Sequence, residues 1–186
     1  KGAGKTTLMR IAYGLLRPDR GSLRLFGQTI DDHSVRRAVR AGMGMVHQHL
    51  SLVPSLTAVE NLALGRPGLF RPRDVSRELT ALSERAGLRV DPGATVRELS
   101  IVEQQRLEIL KALAGGARIL ILDEPTSGLA PAEIEELLHW IRGFASGGGT
   151  VVLVTHRLRE ALEVADDITV LTAMSEARPL VADAPA

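Results

Sequence analysis

Four consecutive aliphatic residues, Ile119-Leu120-Ile121-Leu122, run directly into two acids, Asp123 and Glu124. A strand with one wet face alternates apolar and polar side chains, so an unbroken apolar run bounded by polar residues reads as a strand covered on both faces. Residues 150–155 repeat the pattern, 44–47 form a shorter apolar stretch, and 168–171 read as a last strand. Between the later strands lie helical periods. Pro131 fits a first helical turn, Ile134, Leu137, Leu138, Ile141 and Phe144 follow on one face, and Gly147-Gly148-Gly149 stops the helix. Residues 157–165 read as another helix. Strands separated by helices predict an α/β fold, a mostly parallel sheet with helices on both faces.

Residues 49–114 differ in character, with helical patterns and little strand potential. Thr57 can cap a helix to Leu64, Asp74 can cap one that places Val75, Leu79, Leu82 and Ala86 on one face, and Ser100 can cap a third to about Ala114. This region reads as a helical lobe inserted into an α/β core made of residues 1–48 and 115–172. Near the start, Leu8, Ile11, Ala12 and Leu15 recur at helical spacing after Gly4, and the turn residues 17–21 close that helix. Residues 22–26 alternate like a strand and Ser34 can cap a short helix to about Arg40, whereas 173–186 show no period and read as an irregular tail.

The start of the chain carries the chemistry. Gly2-Ala3-Gly4-Lys5-Thr6-Thr7 matches the end of the phosphate-loop pattern G-x-x-x-x-G-K-[ST]. Glycines let backbone N–H groups turn toward a phosphate, the following helix N-terminus adds partial positive charge, a lysine reaches the β- and γ-phosphates, and the hydroxyl of Thr6 suits Mg²⁺. The pattern's first glycine falls before Lys1, so the chain is expected to begin inside its own loop, without the strand that feeds it and without an N-terminal β-lobe. Taken alone, the run could be a glycine-rich turn ahead of a helix. However, the chain uses arginine almost throughout and has lysine only at positions 1, 5 and 111, one of them where a compact ammonium is needed. Asp123 at a strand's carboxyl end can hold Mg²⁺ through water beside Thr6, and Glu124 can orient or polarise an attacking water. The alternative for those acids is that they solubilise a strand end, but both halves of a Mg-phosphate site seldom occur together by chance.

With these residues placed, the chain resembles the ABC ATPases. Leu99-Ser100-Ile101-Val102-Glu103-Gln104-Gln105 resembles their signature, usually L-S-G-G-Q. Val46-His47-Gln48 resembles the Q-loop, Thr155-His156 the switch histidine, and Ser127-Gly128-Leu129-Ala130 sits where the D-loop belongs. The runs 46–54, 107–113 and 116–124 look like the first nucleotide-binding half of simple-sugar and nucleoside importer ATPases. The resemblance implies a RecA-like P-loop core with an ABC-type helical subdomain, cofactors ATP and Mg²⁺, and hydrolysis coupled to import. Gln48 would link Mg²⁺ and γ-phosphate to the helical lobe, and His156 would contact the γ-phosphate; outside this resemblance both could be ordinary polar residues. Ser100, Val102 and Glu103 would face ATP held by a second nucleotide-binding half.

Two positions depart from that pattern. Val102 stands at the second signature glycine, where a β-branched side chain is expected to crowd a phosphate, and Ala130 stands at the usual D-loop aspartate. The implied partners are that second half, transmembrane permease subunits and, indirectly, a substrate-binding protein. The isolated segment is expected to hydrolyse ATP weakly or not at all.

Composition narrows the field further. A net charge of +1 over 186 residues gives no support for nucleic-acid binding. The absence of cysteine removes disulfides, thiolate catalysis and cysteine-ligated metals. His33, His47, His49 and His139 show no ligand spacing. No apolar run approaches the roughly 20 residues that span a bilayer, so the chain is expected at the cytoplasmic face of a membrane, held there by a partner. A DNA-repair or chromosome-organising ATPase would carry sustained heptads between Gln48 and Leu99, and none are present. A ribosome-associated factor would favour a basic chain. A non-hydrolysing regulatory half is the remaining alternative, opposed by Glu124 and His156 and kept open by Val102.

Overall fold

The computed structural model describes residues 3–25, 27–30, 34–171 and 178–180. Its first element is helix α1 (Lys5–Ala12), followed by strands β1 (Leu23–Leu25) and β2 (Gln28–Ile30), helix α2 (Val35–Arg40) and strand β3 (Met43–Val46). Three helices come next, α3 (Ala58–Ala63), α4 (Pro72–Ala86) and α5 (Ile101–Ala114). Strand β4 (Ile119–Asp123), helix α6 (Pro131–Ser146), strand β5 (Thr150–Val154), helix α7 (Leu158–Val164) and strands β6 (Ile168–Val170) and β7 (Arg178–Leu180) complete the order.

The aliphatic run at 119–122 lies where its composition puts it, at the centre of a parallel sheet ordered β3-β4-β5. Leu120 and Leu122 join a core cluster with Leu107, Ile109 and Leu110 of α5 and Leu137, Leu138 and Ile141 of α6. Ile121 faces the other way, in a second cluster with Ala38 of α2, Met43 and Met45, against Met9 and Ala12 of α1. One strand therefore serves two cores, which is why it cannot alternate. The approach of α5 to the sheet is close. A Cβ on Gly44 would lie 2.7 Å from the Cβ of Ala112, so only glycine fits there. Strand β5 is the edge of this sheet among the described residues; it is exposed at Thr150, half-buried through Leu153 and buried only at Val154, less covered than its composition suggested.

Between β3 and β4 the regular elements are all helices, with one isolated bridge between Thr57 and Thr95. The expected caps at Ser34, Thr57 and Ser100 form, each side chain accepting from the backbone N–H three residues on. Helix α4 differs. It starts at Pro72, with Asp74 inside the first turn rather than at the cap, because proline's fixed φ suits the first helical position. Helix α1 also differs, ending at Ala12 before the period runs out at Leu15. The N–H of Gly14 donates to the Ile11 carbonyl and that of Leu15 to Arg10, closing the helix at Gly14 with φ 84°. Leu8 and Leu15 are exposed, and no residue of α1 is fully buried.

Two separate antiparallel strand pairs accompany the main sheet among the described residues. Antiparallel β1 and β2 use the expected strand at 23–25 and an unexpected partner. Likewise β7 pairs antiparallel with β6 inside the segment read as an irregular tail. A three-residue strand takes its definition from the neighbour it pairs with, and no local period announces it. The rest of the tail from 173, like Gly2 and His33, lies outside the described residues. No helix among the described residues is long and apolar enough to cross a membrane.

Candidate functional site

Because β3, β4 and β5 are parallel and in register, their carboxyl ends share one edge of the sheet. Gln48 follows β3 by two residues, Asp123 closes β4 with Glu124 next, and Thr155-His156 follows β5. In open α/β sheets this edge is where ligands bind. Helix α1 brings its N-terminus to the same edge, where the Thr6 hydroxyl donates to Asp123 Oδ1 at 3.2 Å across a sequence separation of 117.

Gly4 caps α1 in the left-handed region at φ 81°, a conformation that costs a side-chain-bearing residue about 1 kcal/mol or more. No atom lies within 4 Å of the point where a Cβ would stand, so the turn is open as well as left-handed. The half-buried Lys5 is the first helical residue, and it makes no ion pair among the described residues. Ala3 and Thr7 flank this turn; Gly2 lies outside the described residues.

Glu124 is the centre of a second group. Its Oε1 lies 3.1 Å from His156 Nδ1, and its Oε2 accepts from Gln48 Nε2 at 3.4 Å. Its side chain is 23% exposed and that of His156 59%, leaving the pair open to solvent on one side. Glu124 is also the one non-glycine residue with positive φ among the described residues, at 50°. Such a conformation costs about 1–3 kcal/mol and persists only where surroundings over-determine it. Two backbone hydrogen bonds hold it, Glu124 N–H to Val154 O at 2.8 Å and Ser127 N–H to Glu124 O at 3.2 Å.

The signature residues are separate from this cluster. Ser100 and Glu103 form a capping box on α5. The Ser100 hydroxyl donates to Glu103 Oε2 at 2.7 Å, and the Glu103 N–H donates back to it at 3.3 Å. The Ser100 hydroxyl bond, then its backbone N–H bond, holds the Glu103 carboxyl below the usual carboxylate range. Val102 is half-buried in the first turn, and among the described residues no hydrogen bond links these three to Glu124 or Thr6. The helix reaches the site by another residue: Gln105, buried, donates from Nε2 to the Pro125 carbonyl at 2.5 Å. Its role is not visible from residue type, and only its position in the signature-like run marks it. Tyr13, at the C-cap of α1, packs edge-on against His47 with ring centroids 6.4 Å apart, and burial, then the charge of Glu108, pushes its phenol up.

A glycine turn feeding a helix N-terminus, beside a strand that ends in Asp-Glu on the carboxyl edge of a parallel sheet, defines a P-loop nucleoside-triphosphatase core. Solved structures similar to it in shape include ATP-binding cassettes. One, a dimeric structure of a post-hydrolysis state of the ATP-binding cassette MJ0796 bound to ADP and Pi, superposes with a TM-score of 0.78 at 26% identity, covering 97% of this chain and 82% of that one. Residues 1–127 match the family model for ABC transporters, and the chain belongs to that family. The Nucleoside import ATP-binding protein NupA of Lactococcus lactis subsp. cremoris is 45% identical over 174 residues, and the Ribose import ATP-binding protein RbsA 3 of Rubrobacter xylanophilus is 44% identical. Each alignment covers 91% of this chain, and the chain spans about a third of the length of these curated relatives.

Proposed function

We propose that this chain is an ATP-binding and ATP-hydrolysing portion of an ABC importer, coupling hydrolysis to uptake of a simple sugar or nucleoside. The observation that carries the reading is the convergence of Thr6 with Asp123 and of Gln48 and His156 with Glu124 on one sheet edge. The substrate class rests on the names of the relatives, which include nucleoside and ribose import proteins.

The residues fit ATP and Mg²⁺. The left-handed Gly4 turn leaves open the space a side chain would fill, and the N–H groups beginning α1 add positive potential. Lys5 is the cation for the β- and γ-phosphates. Thr6 and Asp123 present only oxygen donors, the set a hard divalent cation takes. Such an ion would screen phosphate charge. Glu124, one residue beyond, accepts the proton of the attacking water. His156 pairs with it through Nδ1, which leaves Nε2 as the ring atom available to the γ-phosphate. Gln48 holds the other carboxylate oxygen and is followed directly by the helical lobe, so occupancy of the site can be passed to α3–α5. The partners are a second nucleotide-binding half, whose ATP Ser100, Val102 and Glu103 would face, permease subunits in the membrane, and a substrate-binding protein behind them. The location is the cytoplasmic face.

Single-turnover hydrolysis by the full-length ATP-binding protein tests this. Release of phosphate from bound ATP is expected; tight binding with no release would favour a non-hydrolysing regulatory half.

A further inference from the structure

Helix α7 carries a buried carboxylate that the site described above does not use. Glu160 is the third residue of that helix and only 7% exposed. A glutamate there commonly folds back onto the helix cap, yet this helix has no side-chain cap. Instead Oε2 accepts from the Thr126 hydroxyl at 2.8 Å and from the Thr155 hydroxyl at 3.4 Å, while Oε1 faces the Arg157 guanidinium at 3.0 Å. The Thr155 hydroxyl in turn accepts from the Arg157 N–H at 2.9 Å.

The positions of these hydroxyls give the arrangement its meaning. Thr126, 2% exposed, is two residues beyond Glu124, with only the rigid Pro125 between. Thr155 is the residue before His156. A single carboxylate thus ties the segment behind the proposed base to the segment ahead of its histidine partner. Glu124 needs such support because its φ of 50° is unfavourable without it. Gln105 restrains Pro125 from the α5 side, and Thr126 is held from the α7 side.

We infer that Glu160 is a positioning residue for ATP hydrolysis, acting through Thr126 and Thr155 to fix the juxtaposition of Glu124 and His156. The inference rests on the function proposed above. It requires that loss of the tie lower turnover without weakening nucleotide binding, since Gly4, Lys5 and Thr6 lie on a different element.

Steady-state ATP hydrolysis by the full-length ATPase in its transporter tests it. Thr126→Val keeps the shape and removes the donor, and is expected to lower kcat about tenfold with KM for ATP within about twofold. Thr126→Ser keeps the hydroxyl and should restore most of the rate. Glu160→Gln offers one oxygen where two were used, so its kcat should also fall. The double variant Glu160→Gln/Thr126→Val should be no worse than the poorer single, because both remove one interaction. Parental kcat in folded Thr126→Val, or a loss seen equally in KM, or additive losses in the double variant, would overturn the positioning role. A Thr126→Val protein that melts earlier yet turns over at the parental rate when folded would overturn it too. Absence of hydrolysis in the parental protein would instead remove the ATPase reading, and this inference with it.

Discussion

At the scale of single residues, Lys5 and Glu124 are assigned opposite duties and can be separated by experiment. In the proposed function Lys5 would supply charge to bound phosphate, so Lys5→Ala in the full-length protein should abolish ATP binding, measured by equilibrium dialysis or fluorescence. Glu124→Gln keeps the shape and the left-handed backbone while removing the proposed base. Binding should survive and turnover should fall by a factor of about a hundred or more, the usual worth of a positioned acid or base. Parental hydrolysis by Glu124→Gln would mean that another group takes the proton. The residues that meet at this sheet edge, Thr6 with Asp123 and Gln48 and His156 with Glu124, were all named from the sequence, because the chemistry proposed for them demands particular residue types at fixed spacing. Glu160 was not legible, and its helix shows why. Leu158 and Leu162 are 59% and 58% exposed while Glu160 between them is buried. An amphipathic reading of α7 would assign those faces the other way round, and only the position of Thr126, 34 residues away, reverses it.

At the scale of elements, helix starts were readable and helix ends less so. The Thr57 box shows the cap chemistry in full. The Thr57 hydroxyl accepts from Glu60 N–H at 3.2 Å and donates to Glu60 Oε2 at 2.9 Å, and Glu60 Oε2 accepts the Thr57 N–H at 2.8 Å. These bonds hold the Glu60 carboxyl below its usual range, the backbone bond contributing most. A carboxyl depressed in the folded state adds stability above its unfolded pKa and loses it as pH falls through the folded one. Thr57→Ala should therefore lower the melting temperature near neutral pH, as loss of a helix cap does. The gap between parent and variant melting temperatures should narrow as pH falls through the lowered carboxylate range. A gap independent of pH would show that the Glu60 half of the box contributes nothing. The end of α1 at Gly14 had its own local signal, a glycine, but the decision was tertiary as well. A Cβ there would stand 2.5 Å from the Ser34 carbonyl carbon, so the turn into α2 needs glycine at that point.

At the scale of the whole molecule, the signature residues matter only if a second nucleotide-binding half is present. Ser100 and Glu103 are engaged with each other, and Val102 occupies the first turn of α5 where a glycine would leave the backbone bare. The two composite sites of such a pair should be unequal. The one completed by this signature would be crowded by the valine methyls, while the one built on Lys5 would rely on the partner's signature. Val102→Gly in the full-length transporter is expected to raise ATPase activity, and the gain should vanish when the partner half's phosphate-loop lysine is removed. Unchanged or lower activity would mean that the backbone already clears the phosphate with valine in place.

The sequence by itself determined the buried strand at 119–122, the caps at Ser34, Thr57 and Ser100, the helical stretch between two parallel strands, and the residue types that meet at the carboxyl edge of the sheet. Each is written within a few neighbouring residues, where periodicity, cap geometry and glycine conformation act. Tertiary structure alone decided that β2 and β7 are strands, that β5 is half-covered, that Gln105 reaches the Pro125 carbonyl, and that one buried glutamate ties Thr126 to Thr155. Those outcomes depend on which surfaces meet, and a hydroxyl or an amide carries no local mark of the distant atom it will bond.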